Sequence, residues 1–290
     1  MNARITEINN EIAKYIIDLF SKNNMPINEL VLQKVAYKIK MNLGQDHPLY
    51  EELPYYWYCY GSFSETLRNS FNTLKPTLTP VNNGFLNKNI NTNNIAPISV
   101  YDYPEIENTV LNLISKGDYV YSSLSEDIYK EYDPLNILHT FKYDIFNPTE
   151  YDELKIDGNE YLKSIEYCNL NLPIDDYFNE YCEIFSKFTF NLDFLNDEKL
   201  INEKWMILKK PIRNLWFTFV QGLRCQIHDS YYDFNFNQWD TIFKKNLNHL
   251  NERIDNLIDE ITPLIDFSRY DNINKEGEKF LNLMGNAYWG

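Results

Sequence analysis

Glycine is scarce, nine residues in 290, and none of them falls in a Gly-x-Gly-x-x-Gly or Walker pattern. Phosphate-cradling loops of either kind are therefore excluded. No Gly-x-Ser-x-Gly elbow is present, which removes the nucleophile of an α/β-hydrolase. The four cysteines, Cys59, Cys168, Cys182 and Cys225, are scattered, and no two form a Cys-x-x-Cys pair. That spacing excludes a zinc ribbon, and four cysteines in so long a chain make no disulfide framework. No run approaches the ~18 apolar residues that a membrane span needs. The opening Met1-Asn2-Ala3-Arg4-Ile5-Thr6-Glu7 has no apolar leader run. The expectation is a reduced, cytoplasmic chain with no membrane partner and no cofactor.

What is there is aromatic and acidic. Hydrophobic residues make up 44% and aromatics 16%, with 23 Tyr and 18 Phe, enough to build cores without staples. Asparagine is also abundant, 38 residues, which favours turns and caps. The net charge of −15 is unevenly placed. Residues 1–75 hold eight basic and eight acidic side chains, whereas the remainder holds 19 basic and 34 acidic. An acidic surface repels nucleic acid over a Debye length of about 8 Å. The neutral front is thus the place for any DNA contact, and the acidic remainder suits a protein partner or solubility.

Periodicity divides the chain. Ile5, Ile8, Ile12, Ile16, Leu19 and Phe20 predict a helix over 5–20, stopped by Ser21-Lys22-Asn23-Asn24 and Pro26. Ile27, Leu30, Val31, Val35, Ile39 and Leu43 predict a second, closed by Gly44. Residues 53–60 read as a buried aromatic strand. Ser62 and Glu65 have capping-box spacing, and the helix they open would turn Phe63, Leu67, Phe71 and Leu74 inward until Pro76. Seven Asn between Asn82 and Asn94 then mark a linker or a long wing loop.

Helical patterns resume at Glu105–Lys116, Glu160–Cys168 and Asp175–Phe190. In 211–228, Ile212, Leu215, Trp216, Phe219, Val220, Leu223 and Ile227 form one stripe. In 236–262, Phe243, Leu247, Leu250, Ile254, Leu257, Ile261 and Leu264 follow a 4-3 spacing, with Pro263 closing the helix. That seam fits an antiparallel helix pair within one domain or a dimeric coiled coil.

Leu32-Gln33-Lys34-Val35-Ala36-Tyr37 and, after the aromatic strand, Tyr60-Gly61-Ser62-Phe63-Ser64 carry a resemblance. The segment resembles a winged-helix group of prokaryotic regulators and antitoxin-like proteins that includes the Panacea antitoxin domain. Its members show Leu-Gln-Lys-Leu-x-Tyr, an aromatic strand and Tyr-Gly-Pro-x-Ser; here Ser62 stands where the family has Pro. The likeness covers about a quarter of the chain. Ile128-Tyr129-Lys130-Glu131-Tyr132 is a fainter echo of a further helix in such domains. The resemblance implies a regulatory, non-enzymatic protein that binds DNA or a protein partner, such as a toxin. Lys34 and Lys38 on one helix, and Arg68, Asn72 and Lys75 on another, would supply donors of the kind that phosphates and base edges require.

Residues 211–228 carry the one constellation that resembles a reactive site. Arg213, Phe217, Gln221, Arg224 and His228 fall within about 80° of each other on a helical wheel, beside the apolar stripe. An alternative function follows: RNA cleavage with His228 as acid/base and Arg224 stabilising charge. Helical ribonucleases of the HEPN type space Arg and His further apart than the pair here. Surface or salt-bridging roles within an acidic domain are the favoured explanation of the stripe. Cys225 and His228 make half a metal site without a second half, and Asp255 and Asp259 lack Glu-x-x-His partners, so no metal is expected. His47, His139 and His249 stand alone.

The expected architecture is mainly α. A winged-helix-like α+β domain occupies 1–78, an Asn-rich linker or wing loop 79–99, and an acidic helical domain 100–290. The helical part would bind a protein or dimerise, and a third reading makes the chain an assembly protein joined through the 243–264 seam.

Overall fold

The computed structural model describes residues 3–58, 61–89, 103–117, 120–133, 138–139, 142–143 and 198–261. Side chains at 103, 198, 200, 201, 204, 208, 210–212, 251, 253–255 and 257–261 are outside that set. The chain is mainly helical and falls into two units, Met1–Asp133 with Leu223–Asp240, and Pro134–Gly222 with Thr241–Gly290.

In the first unit, helix α1 (Ala3–Lys22) buries Ile12, Ile16, Leu19 and Phe20, the stripe its periodicity predicts. Helix α2 (Glu29–Leu43) starts at Asn28, whose side chain accepts the Val31 N–H at 3.0 Å. It stops at Gly44, which adopts a left-handed φ of 77°. This helix is buried nearly all round: Leu32, Val35 and Ile39, but also Gln33, Lys34, Lys38 and Lys40. A helix buried on every side must give each polar group a partner. The Lys40 ammonium donates to the carbonyls of Tyr50 (2.8 Å) and Leu53 (2.9 Å) and to Asp229 Oδ2 (2.8 Å). A short helix α3 (Pro48–Glu52) follows, with His47 Nδ1 accepting the Leu49 N–H at 3.1 Å. His47 is thus a helix cap.

The aromatic segment is a hairpin, where the sequence predicted one strand turning directly into a helix. Strand β1 (Tyr56–Tyr58) pairs antiparallel with β2 (Gly61–Phe63) in the register Tyr56↔Phe63, Trp57↔Ser62, Tyr58↔Gly61. Gly61 has φ of 84°, and a Cβ there would sit 3.0 Å from the Tyr129 ring. Residues 227–229 run along β1: Trp57 N–H donates to Ile227 O at 3.4 Å, and Asp229 N–H to Tyr55 O at 2.9 Å. Helix α4 (Glu65–Leu74) begins two residues later than the capping-box spacing suggested. Its cap is Ser64, whose hydroxyl accepts the Leu67 N–H at 3.3 Å, while Ser62 lies buried in β2. Gln33 fixes this choice by bridging the Ser64 carbonyl (2.8 Å) and N–H (3.0 Å).

Pro76 ends α4 in a single 3-10 turn, Lys75–Thr77. Strands β3 (Thr79–Val81) and β4 (Gly84–Leu86) then form a second antiparallel hairpin, with Asn83 at φ 67° in its turn. Ile27 and Phe85 exchange both backbone hydrogen bonds, at 3.1 and 2.9 Å, which docks the hairpin beside the entry to α2. A Cβ at Gly84 would lie 2.7 Å from Ile27 O, so only glycine permits that approach. Asn87 completes the anchor: its N–H donates to Ser21 Oγ (2.8 Å) and its amide to Asp18 Oδ1 (2.6 Å). Residues 90–102 lie outside the described residues.

Helices α5 (Tyr103–Lys116) and α6 (Tyr121–Tyr132) pack Ile106, Val110, Leu124, Ile128 and Tyr129 into the same unit, against α1, α2 and β2. In the second unit run most of helix α7 (Glu198–Gln226) and of helix α8 (Phe236–Ile261). Leu215, Trp216, Phe219 and Val220 are buried on α7, and Phe243 and Leu250 on α8, with Leu247 half-buried. The predicted seam thus packs inward over 243–250, while the side chains of Ile254, Leu257 and Ile261 are not described. Helix α7 starts at Glu198, before the expected 211, and runs through Pro211. Proline inside a helix forfeits one backbone bond and costs roughly 3 kcal/mol, so a helix that continues through Pro211 is not what local sequence favours. The candidates 160–168 and 175–190 lie outside the described residues.

Candidate functional site

Helix α4 turns Thr66, Leu67, Ser70 and Phe71 inward, leaving Arg68, Asn69, Asn72 and Thr73 exposed. Lys75, one turn on, places its ammonium 5.2 Å from the Phe85 ring, beside the second hairpin. The Arg68 guanidinium lies 6.0 Å from the Phe63 ring, and its Nε meets Glu29 Oε1 at 3.4 Å. Of the residues expected to contact nucleic acid or a partner, Arg68, Asn72 and Lys75 share this face.

Two do not. Lys34 is 2% exposed and donates to the Ser62 carbonyl at 2.9 Å. Lys38 is buried and paired with Asp127 and Glu131, each at 3.4 Å. Their side of α2 was expected to be polar and open, but β2 and α6 cover it. Both cations hold the unit together internally.

The electrostatics of the α4 face have a source the motif reading missed. Residues 66–101 contain no Asp or Glu, in a chain with 42, and carry Arg68, Lys75 and Lys88. Asn69, Thr73 and Lys88, all exposed, join the face on that basis. The gap in acidic residues was visible in the sequence and would have found them.

Arg224 and His228 sit together in the aromatic core of the first unit, which groups Tyr56, Tyr232 and Trp239 with Tyr58, Phe63, Cys225 and Tyr231. Arg224 is 7% exposed, its guanidinium carbon 5.1 Å from the Trp239 ring and 5.7 Å from that of Tyr58. Burial pulls its pKa down from the ordinary value, against the opposing pull of Tyr56 and Tyr58. His228 Nε2 faces Asp233 Oδ1 at 3.1 Å, and its ring meets Trp239 edge-on at 5.6 Å. Ring faces take the place of a carboxylate around this guanidinium. That environment clamps the cation in the interior and keeps it from a substrate phosphate. Among the described residues Cys225 is half-buried and forms no disulfide.

In the second unit, α7 and α8 enclose a cleft of about 230 Å³ lined by Asn214, Phe217, Thr218, Asn246, His249 and Leu250. Arg213 and Phe217, both in the predicted stripe, lie together on α7, with the guanidinium carbon 5.4 Å from the ring. The carboxamides and Thr218 went unnoticed in the sequence, since each alone looks like an ordinary helix-surface residue. Among the described residues no group of three or more His, Cys, Asp or Glu could hold a metal ion, and no helix is long and apolar enough to cross a membrane. No family model, no curated protein and no solved structure matches the chain.

Proposed function

We propose that this chain is a non-enzymatic, winged-helix-like regulator whose α4 face and β3–β4 hairpin bind duplex DNA. The acid-free stretch 66–101, exposed on α4 and its neighbouring hairpin, carries the reading. The element order supports it. Helix α1, the extended Ile27, helix α2, helix α4 and then a hairpin bridged back to Ile27 follow the sequence of parts in a winged helix, with α3 and β1–β2 inserted between α2 and α4. Arg68, Asn69 and Asn72 stand where a recognition helix offers donors to a groove. Lys75 and Lys88 stand where phosphates pass.

The caged Arg224 favours this reading over RNA cleavage, because a guanidinium packed between rings cannot follow a developing charge on substrate. A gel shift with generic duplex at low salt tests the proposal. Dissociation constants near the micromolar range are expected, with Asn72→Ala plus Lys75→Ala weakening binding at least tenfold while the melting temperature holds. Binding that survives both substitutions unchanged would move the interface elsewhere, and a protein that shifts no duplex at all would leave protein recognition as the role of this face.

A further inference from the structure

Most exposed side chains of the α4 face offer one kind of hydrogen-bonding group. Arg68 and Lys75 only donate. The Glu65 carboxylate, exposed at the start of the helix, only accepts, and it already takes the Tyr56 hydroxyl at 3.2 Å. The Thr73 hydroxyl is committed to the Asn69 carbonyl at 2.9 Å. Asn69 and Asn72 differ from all of these. Each carboxamide carries a donor and an acceptor side by side. Both residues are exposed, and among the described residues neither carboxamide has a partner within the protein. Ser64 already caps the helix, so neither is needed at its end. Asparagine is common in this chain, and these two gain their meaning from where they stand. At about 100° per residue, Asn72 falls between Arg68 and Asn69, in the middle of the exposed stripe.

We propose, resting on the reading of α4 as a duplex-binding face, that Asn72 selects adenine, with Asn69 beside it. In the major groove adenine presents its N7 acceptor and its N6 donor together, and a carboxamide meets both at once. Guanine presents two acceptors, cytosine a donor alone, and thymine an acceptor beside a methyl group. Each of those leaves half of the carboxamide unmatched. Arg68, whose fork would suit guanine, is drawn to Glu29 at 3.4 Å. The lysines meet phosphates, which carry no sequence. The choice of base therefore falls to the carboxamides.

Fluorescence anisotropy of the full chain at low salt tests this with three duplexes of equal length. One alternates adenine and thymine, one alternates guanine and cytosine, and the third is the first rebuilt with 7-deazaadenine, which lacks only the N7 acceptor. The adenine–thymine duplex should bind about tenfold more tightly than the guanine–cytosine duplex, the discrimination of one good bidentate pair. The deaza duplex should lose most of that preference. Asn72→Ala should bring the ratio of the two affinities close to one. Its melting temperature should not fall, because alanine suits an exposed helix position at least as well. Asn72→Gln, which keeps a carboxamide, should retain part of the preference. Equal binding of all three duplexes, or a preference that survives the deaza base or Asn72→Ala, overturns the adenine assignment and leaves duplex binding standing. Binding of no duplex removes the duplex reading itself, and this proposal with it.

Discussion

Lysine 40 shows how single side chains bind the first unit. Its ammonium satisfies two carbonyls and a carboxylate contributed by α3, the segment after it and residue 229. The same carboxylate also accepts the Tyr55 N–H at 2.6 Å. Replacing Lys40 with Met keeps the length of the side chain but takes the cation away from all three acceptors. The expected loss is about 3 kcal/mol, the range for breaking one side of a buried ion pair, measured by urea unfolding. Tyr232 makes a complementary case. It accepts the Glu65 N–H at 2.9 Å, and burial, ahead of the opposing hydrogen bonds, pushes its phenol up to about 12. A phenol whose pKa is higher folded than unfolded adds stability that is complete below pH ~10 and disappears as pH rises to about 12, here about 3 kcal/mol. Burial raises Tyr37, Tyr55 and Tyr56 in the same direction. Lys40 and Arg224, whose pKa values burial lowers, act oppositely but are two cations against these four phenols. The melting temperature should therefore fall steeply between pH 10 and 12, and Tyr232→Phe should shrink that fall.

Among the elements, the β3–β4 hairpin depends most on one position. Alanine at Gly84 would force its Cβ against the Ile27 carbonyl, and the bridge to Phe85 would have to open. Hydrogen exchange at the amides of Ile27 and Phe85 should accelerate in Gly84→Ala, with an unfolding cost of about 1–3 kcal/mol. Helices α1 and α2 were legible from apolar spacing and their end signals, because both depend on neighbours within a few residues. The cap of α4 was not. Ser62 has the better spacing to Glu65, but its strand pairs with 56–58 and Gln33 grips Ser64 from α2, and neither contact leaves a local trace. Lys34 and Lys38 misled for the same reason: their partners, Ser62, Asp127 and Glu131, are remote in sequence, so the lysines look like a solvated face. Half of the α4 face, Arg68, Asn72 and Lys75, was legible, since exposure of polar positions on an amphipathic helix follows from its period.

Across the whole molecule, charge is unevenly placed. A chain of net charge −15 can approach a polyanion only through a region that lacks acids, and residues 66–101 are such a region. Arg68 is the cation there with a carboxylate beside it, Glu29 at 3.4 Å. Glu29→Gln should therefore tighten duplex binding severalfold at low salt. The most direct test of the α4 face is the salt dependence of that binding, followed by fluorescence anisotropy in the wild type and in Arg68→Ala plus Lys75→Ala. On the proposed duplex binding, neutralisation of one phosphate each by Arg68, Lys75 and Lys88 gives an expected slope of log K against log salt of about −2.7, and the double variant should fall to about −0.9. A wild-type slope that the double variant leaves unchanged, or no duplex binding even at low salt, would contradict the account.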